Sequence, residues 1–448
     1  MQLAGFAPAF TLSLGDSEYA RKPPIGIVSV VRGHFKKQSI SAILTRIIMK
    51  TKNNMRKFGL SFLLMVIAFN CYAIDGLLIK TIDYTFKEKW SNTVSSSIPA
   101  ITTCDTVFKK QYFFITAIAA GYDLDNKDIS NVQYSIKVTK PDNSIYFSQE
   151  NLPLVNKKIS NKNNLQMSDA ILKICFENND AFGKYKIEIE IIDKISGKSK
   201  RINSDITLAP LPTFNQEQVK DDNAFSKWLG RYYENPNPTK ALAYYVYYSQ
   251  SKISDNESSF WPVFSLFNEI VKNNSYLLPQ ILDCYKTQDL KTKIYLLYLL
   301  TYSNVGTNDF FNSLEGNEKD TYLKIKDTPL KDIYGDITES SQLDMLWGTF
   351  MANGGYQPIL KLIQTLDYSK YQGDLDKFKK SKQTSEDRQK ALNNAIYTSL
   401  VWSLTSNCKQ HELVKEYCDW AVEFENLSSV QKDELKKILN DKKEKTTP

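Results

Sequence analysis

From Ile74 to about Pro212, apolar and polar residues alternate along the chain. Val132, Tyr134, Ile136 and Val138 fall on one face and Gln133, Ser135 and Lys137 on the other, the period of a half-buried strand. Lys140-Pro141-Asp142-Asn143-Ser144 turns the chain, because proline presets φ and asparagine tolerates a left-handed backbone, and Ile145-Tyr146-Phe147 returns as a partner strand. Ile171 to Phe176 and Tyr185 to Ile192 are further strands with a polar, glycine-containing stretch between them. Ser196-Gly197-Lys198 leads into a last strand ending near Leu208. Short strands punctuated at this spacing predict an antiparallel immunoglobulin-like β-sandwich over 74–212. No tryptophan lies between Cys104 and Cys175, which argues against the antibody-type version.

Past Leu211-Pro212-Thr213, which reads as a linker, the period becomes helical. Phe225, Trp228, Leu229, Tyr232 and Tyr233 form one apolar face, closed by Asn235-Pro236-Asn237-Pro238. Helices are then expected over Ala241–Tyr248, Pro262–Val271, Leu277–Tyr285, Lys291–Tyr302, Leu343–Met351, Ile359–Leu366, Gln389–Leu404, Leu413–Phe424 and Val430–Leu439. Helix hairpins in series predict an α-helical, solenoid-like repeat domain over 213–441, ending in a disordered lysine-rich tail at 442–448.

Before Ile74 the pattern is of another kind. Met55-Arg56-Lys57 is basic, Phe58 to Phe69 carries no charge, and Cys71 and Ala73 place small residues where a signal peptidase reads. Residues 55–73 are therefore expected to be a signal peptide cleaved after Ala73, which puts the mature chain in the periplasm or outside the cell. The apolar run is short for a membrane span, and Phe69-Asn70 is a poor lipidation context for Cys71. A signal peptide normally opens a chain, so translation is expected from Met49 or Met55, with 1–54 a mis-assigned extension; a basic, disordered leader is the alternative.

This division changes the charge picture. The chain has 57 Lys and Arg against 50 Asp and Glu. Residues 1–73 hold ten of the former and two of the latter, which leaves 47 and 48 in the mature chain. Near neutrality gives no case for nucleic acid as a partner. Of the six cysteines, Cys104, Cys175, Cys284, Cys408 and Cys418 remain after cleavage. Cys104 with Cys175, and Cys408 with Cys418, can each form a bridge in an exported protein or remain buried thiols.

Candidate chemistry mostly dissolves on inspection. His411 is the one histidine left after cleavage, which argues against histidine-rich metal sites and histidine-based hydrolysis. Cys408, His411 and Cys418 offer three zinc ligands without a fourth at ordinary spacing, and His411 reads better as a helix start capped by Ser406-Asn407. Asp123 to Asp128 has Lys127 where calcium needs oxygen and no glycine, so it reads as a polar loop. Glu188 and Glu190 alternate with isoleucines as a wet strand face. The tyrosine runs Tyr244–Tyr248 and Tyr295–Tyr302 read as buried helices in preference to a binding groove. No catalytic, cofactor-binding or metal residue is assigned, and no cofactor is expected.

Two segments carry a resemblance. Leu343-Asp344-x-x-Trp347-x-x-Phe350-x-x-x-Gly354 and Trp402-Ser403-Leu404-x-Ser406-Asn407-x-x-x-His411-x-x-Val414 resemble signatures of a group of uncharacterised secreted or periplasmic bacterial proteins. Lys140-Pro141-Asp142 and Asp180-x-x-Gly183-x-Tyr185 fit the same group. The resemblance implies location and architecture and carries no activity. The leading functional expectation is a non-catalytic interaction or scaffold protein whose partner is another envelope or extracellular protein, with no integral membrane segment in the mature chain. The alternatives are a glycan-cleaving envelope hydrolase working through carboxylates and a host-facing secreted factor.

Overall fold

The alternation in the first half becomes nine strands in a computed structural model of the chain, which describes residues 74–94, 99–160, 165–373 and 384–440. The expected leader at 1–54, signal peptide at 55–73 and tail at 442–448 lie outside the described residues. The strands are β1 (Asp75–Thr81), β2 (Thr106–Phe108), β3 (Tyr112–Ala120), β4 (Val132–Thr139), β5 (Ile145–Val155), β6 (Gln166–Met167), β7 (Leu172–Cys175), β8 (Gly183–Asp193) and β9 (Ser199–Ala209). One sheet is built around β3, with β1 on one edge and β6 and β7 on the other; the second runs β2-β9-β8-β4-β5. Inward residues of β3 (Phe113, Ile115, Ala117, Ala119) share one core with those of β4 (Tyr134, Ile136) and β8 (Ile187, Ile189, Ile191).

Local signals explain the turns. Asn143 takes φ 66° between β4 and β5, and Gly197 takes φ 70° between β8 and β9. Two details differ from expectation. β2 runs parallel to β9, so the second sheet is mixed where antiparallel pairing was expected. β3 escaped the period-two reading because it is buried at nearly every position, and a strand covered on both faces has nothing to alternate.

The second half is helical. Its helices follow the 3.6-residue pattern: α2 (Asp222–Gly230), α3 (Ala241–Gln250), α4 (Phe260–Asn273), α5 (Leu278–Thr287), α6 (Leu290–Tyr302), α7 (Asn308–Asn312), α8 (Gly316–Asp327), α9 (Ser340–Asn353), α10 (Tyr356–Gln364), α11 (Ser385–Gln410), α12 (Glu412–Phe424) and α13 (Ser429–Asn440). A short α1 (Phe86–Ser91) belongs with them. The compact units of the chain are 74–82 with 103–211, and 83–102 with 212–440. The chain divides between Leu211 and Pro212, and 83–102, which falls within the expected β domain of 74–212, groups with the helices.

α9 is buried almost all round. Leu343, Leu346, Trp347 and Phe350 enter the main helical core. On the opposite side of the helix Asp344 is half-buried and Thr349 is buried. α4 occupies that side, so close that a Cβ on Gly348 would lie 2.2 Å from the Pro262 carbonyl oxygen.

Candidate functional site

The most heavily charged buried region of the helical unit is built by the segment that sequence periodicity misplaced. Asp83 Oδ2 accepts from Lys89 Nζ at 2.6 Å, with the two side chains 4% and 2% exposed. Asp83 Oδ1 accepts from the Thr85 amide at 2.9 Å, and the Thr85 hydroxyl lies 2.8 Å from that oxygen and 2.6 Å from the Asn353 carbonyl. The partner surface is the turn after α9. Gly354 has φ 64°, and a Cβ there would meet Lys89 Cε at 2.7 Å, so glycine is required by backbone and neighbour alike. Tyr417 donates its hydroxyl to the Gly354 carbonyl at 2.7 Å, and the Gly355 amide donates to Asn353 Oδ1 at 2.7 Å. Glu88 accepts from the amides of Tyr356 and Gln357 at the start of α10; burial pushes its carboxyl up while those donors pull it down. Each buried charge thus has a partner inside the fold, as burial demands, and the cluster fastens α1 to the α9–α10 turn.

The two signature segments meet next to this cluster. Tyr233 packs at a tilt against Phe350 with ring centroids 4.9 Å apart and against His411 at 5.8 Å, with Phe350 and His411 at 6.4 Å. The Tyr233 hydroxyl and His411 Nδ1 are 3.0 Å apart. Burial, helped by the Arg231 charge, lowers His411 to about 4, so the ring is neutral and structural at ordinary pH. His411 stands in extended conformation at the corner between α11 and α12. Ser406 and Asn407 therefore do not cap it: α11 runs through them, and Asn407 Nδ2 donates to the Ser403 carbonyl within the helix. Leu404 and Val414 are fully buried and Ser403 bonds the Leu400 carbonyl at 3.0 Å, so packing and helix geometry account for these signature positions.

Trp402 is different. It is 41% exposed. Ile396, Leu400 and Leu404 form the buried stripe of α11, and Trp402 lies about 200° around the helix from Leu400. Its indole stands beside an open groove of about 610 Å³ lined by Gln372, Tyr397, Thr398, Val401, Thr405, Ser406 and Lys409. An aromatic plate, an aliphatic floor and a row of hydroxyls along one helix suit contact with another molecule. Among the described residues, none of those lining the groove is a carboxylate. Sequence reasoning missed the groove, although a tryptophan off the apolar stripe of a helix was a signal available to it.

The remaining candidates fall into place as structural features. Among the described residues no group of His, Cys, Asp and Glu could hold a metal ion. Asp125 Oδ1 accepts from the amides of Lys127 and Ile129, both at 2.8 Å, shaping the polar loop between β3 and β4. Glu188 and Glu190 lie on the outer face of β8; Glu190 pairs with Arg201 at 3.0 Å. Tyr244, Tyr245 and Tyr248 are buried, whereas Tyr295, Tyr298 and Tyr302, expected to be buried, are half-buried. Cys104 bonds through its amide to Lys80 on β1 while Cys175 sits on β7, with β1 and β3 between them, which separates the two residues by about three strand spacings. A bridge between them is excluded in this arrangement. Cys408 and Cys418, by contrast, lie 3.7 Å apart. The loop motifs of the β unit also meet: a Cβ on Gly183, whose φ is 134°, would touch Pro141 at 3.0 Å.

Neither a family model nor a curated protein matches the chain. Among solved structures, it is similar to a family 123 glycoside hydrolase from Clostridium perfringens, described for glycolipid glycan hydrolysis, at 11% identity over 33% of this chain, with a TM-score of 0.21. The chain spans 29% of that hydrolase, and a likeness this small carries no argument about fold or activity.

Proposed function

We propose that the protein is an exported, non-catalytic interaction protein of the bacterial envelope or its surroundings, which holds a partner protein in the groove beside Trp402. The observation that carries this reading is the exposure of Trp402 at 41% in a segment where Ser403, Leu404, His411 and Val414 are buried. A tryptophan left in water gains by burial against a partner, and aromatic anchors of this type dominate protein interfaces. The finer architecture fits the reading. The Tyr185 hydroxyl donates to the Ala181 carbonyl at 3.0 Å, a corner of the kind found in immunoglobulin-like domains, and the helix hairpins read as a degenerate solenoid. Both present surfaces more readily than closed pockets. Among the described residues no helix is long and apolar enough to cross a membrane.

The test is comparative capture. Wild-type protein and Trp402→Ala, each shown to melt within about 1 °C of the other, are used to draw partners from envelope extract of the native host. The reading expects a protein held by the wild type and lost by the variant. Equal capture by both refutes the groove. Export is checked separately by N-terminal sequencing of the native product, which should start at Ile74; a retained Met1 or Met55 overturns it.

A further inference from the structure

Five cysteines lie among the described residues, and they are not equivalent. Cys104, Cys175 and Cys284 have no second sulfur recorded beside them, whereas the Cys408 thiol donates to the Cys418 sulfur at 3.7 Å. The pair spans the α11–α12 corner. Cys408 lies in the last turn of α11, Cys418 in the middle of α12, and His411 between them is pinned by its bond to Tyr233. The corner therefore holds the two helices at a fixed spacing and keeps the sulfurs facing each other. A disulfide needs the sulfurs about 1.6 Å closer than this. The ring of His411 faces Tyr233 and Phe350, so it does not complete a metal site with the thiols.

We infer that Cys408 and Cys418 are a dithiol site that a disulfide-bearing oxidant converts into an intramolecular bridge locking α11 to α12. The order of events follows from exposure. Cys418 is fully buried, and its thiol is held well above the ordinary range by the neighbouring Cys408 and by burial. Cys408 is partly exposed. Cys408, as thiolate, attacks one sulfur of the oxidant, forming a mixed disulfide and releasing one thiol. Cys418 gives up its proton and displaces the second thiol from Cys408. Two protein thiols and one disulfide become one protein disulfide and two thiols, so atoms and electrons balance. An exported location favours the bridged state, but the site itself rests on the geometry and stands apart from the Trp402 reading.

The experiment uses oxidised glutathione on the fully reduced, folded protein, with free thiols then blocked by N-ethylmaleimide and the digest mapped without reduction. The expected product is about 2 Da lighter than the dithiol and gives one peptide joining Cys408 to Cys418, while Cys284 stays free. In Cys418→Ala the glutathione should remain on Cys408, because the displacing thiol is gone. The inference is overturned if wild-type Cys408 and Cys418 both end blocked as free thiols. Glutathione persisting on wild-type Cys408, or Cys408 joined to Cys104 or Cys175 instead, overturns it equally. Neither result requires the variant to fold.

Discussion

Replacing Lys89 with methionine keeps the length of the side chain and removes its charge, which isolates what the Asp83–Lys89 pair contributes. The carboxylate it leaves behind is 4% exposed and loses a donor at 2.6 Å, while the Thr85 amide at 2.9 Å remains. Stranding one member of a buried pair costs about 3–5 kcal/mol. At a urea dependence of about 3 kcal/mol per molar for a unit of this size, the unfolding midpoint should fall by about 1–2 M. The assay can report on the helical unit alone, because all six tryptophans (Trp90, Trp228, Trp261, Trp347, Trp402 and Trp420) lie within 83–102 or 212–440. Tryptophan fluorescence in urea should show the early transition. Adding Asp83→Asn to Lys89→Met should recover part of the loss, since no uncompensated charge then stays buried. The same reasoning expects a fragment starting at residue 213 to melt less cooperatively than one that also carries 83–102. A midpoint for Lys89→Met within about 0.2 M of wild type refutes the claim that 83–102 is an energetic part of the helical fold.

Trp347 lies in the helical core at 8% exposure, and Trp347→Ala should destabilise the unit by about 3–5 kcal/mol in thermal or urea unfolding. Its Nε1 has no hydrogen-bond partner, so Trp347→Phe should cost much less than the alanine change. His411 gives a pH signature. Held down to about 4 in the fold against about 6.5 unfolded, its contribution is complete above pH 6.5 and is lost as pH falls towards 4. Between pH 6.5 and 5 the loss should approach about 2 kcal/mol, and stability measured across that range should be flatter in His411→Gln.

What the sequence determined by itself was local. Alternation placed β4 and β8 and their wet faces, Asn143 and Gly197 marked turns that need positive φ, and the helical period located most of α2 to α13. These succeed because the burial of one face is written into neighbouring residues. The spacing of Leu343, Leu346, Trp347 and Phe350 puts them on one face of the expected helix over Leu343–Met351, but it does not tell that Gly348 lets α4 cover the far side of the same helix. Which surfaces meet was decided only in three dimensions. Thr85 bonds Asn353 across 268 residues, and no period within 83–102 announces that partner. The parallel edge of β2, the corner at His411, the separation of Cys104 from Cys175, the closeness of Cys408 to Cys418 and the groove at Trp402 are likewise products of packing. A side chain's periodicity records that it is covered, while the identity of what covers it depends on contacts between segments far apart in the chain, which the pattern of a single segment does not contain.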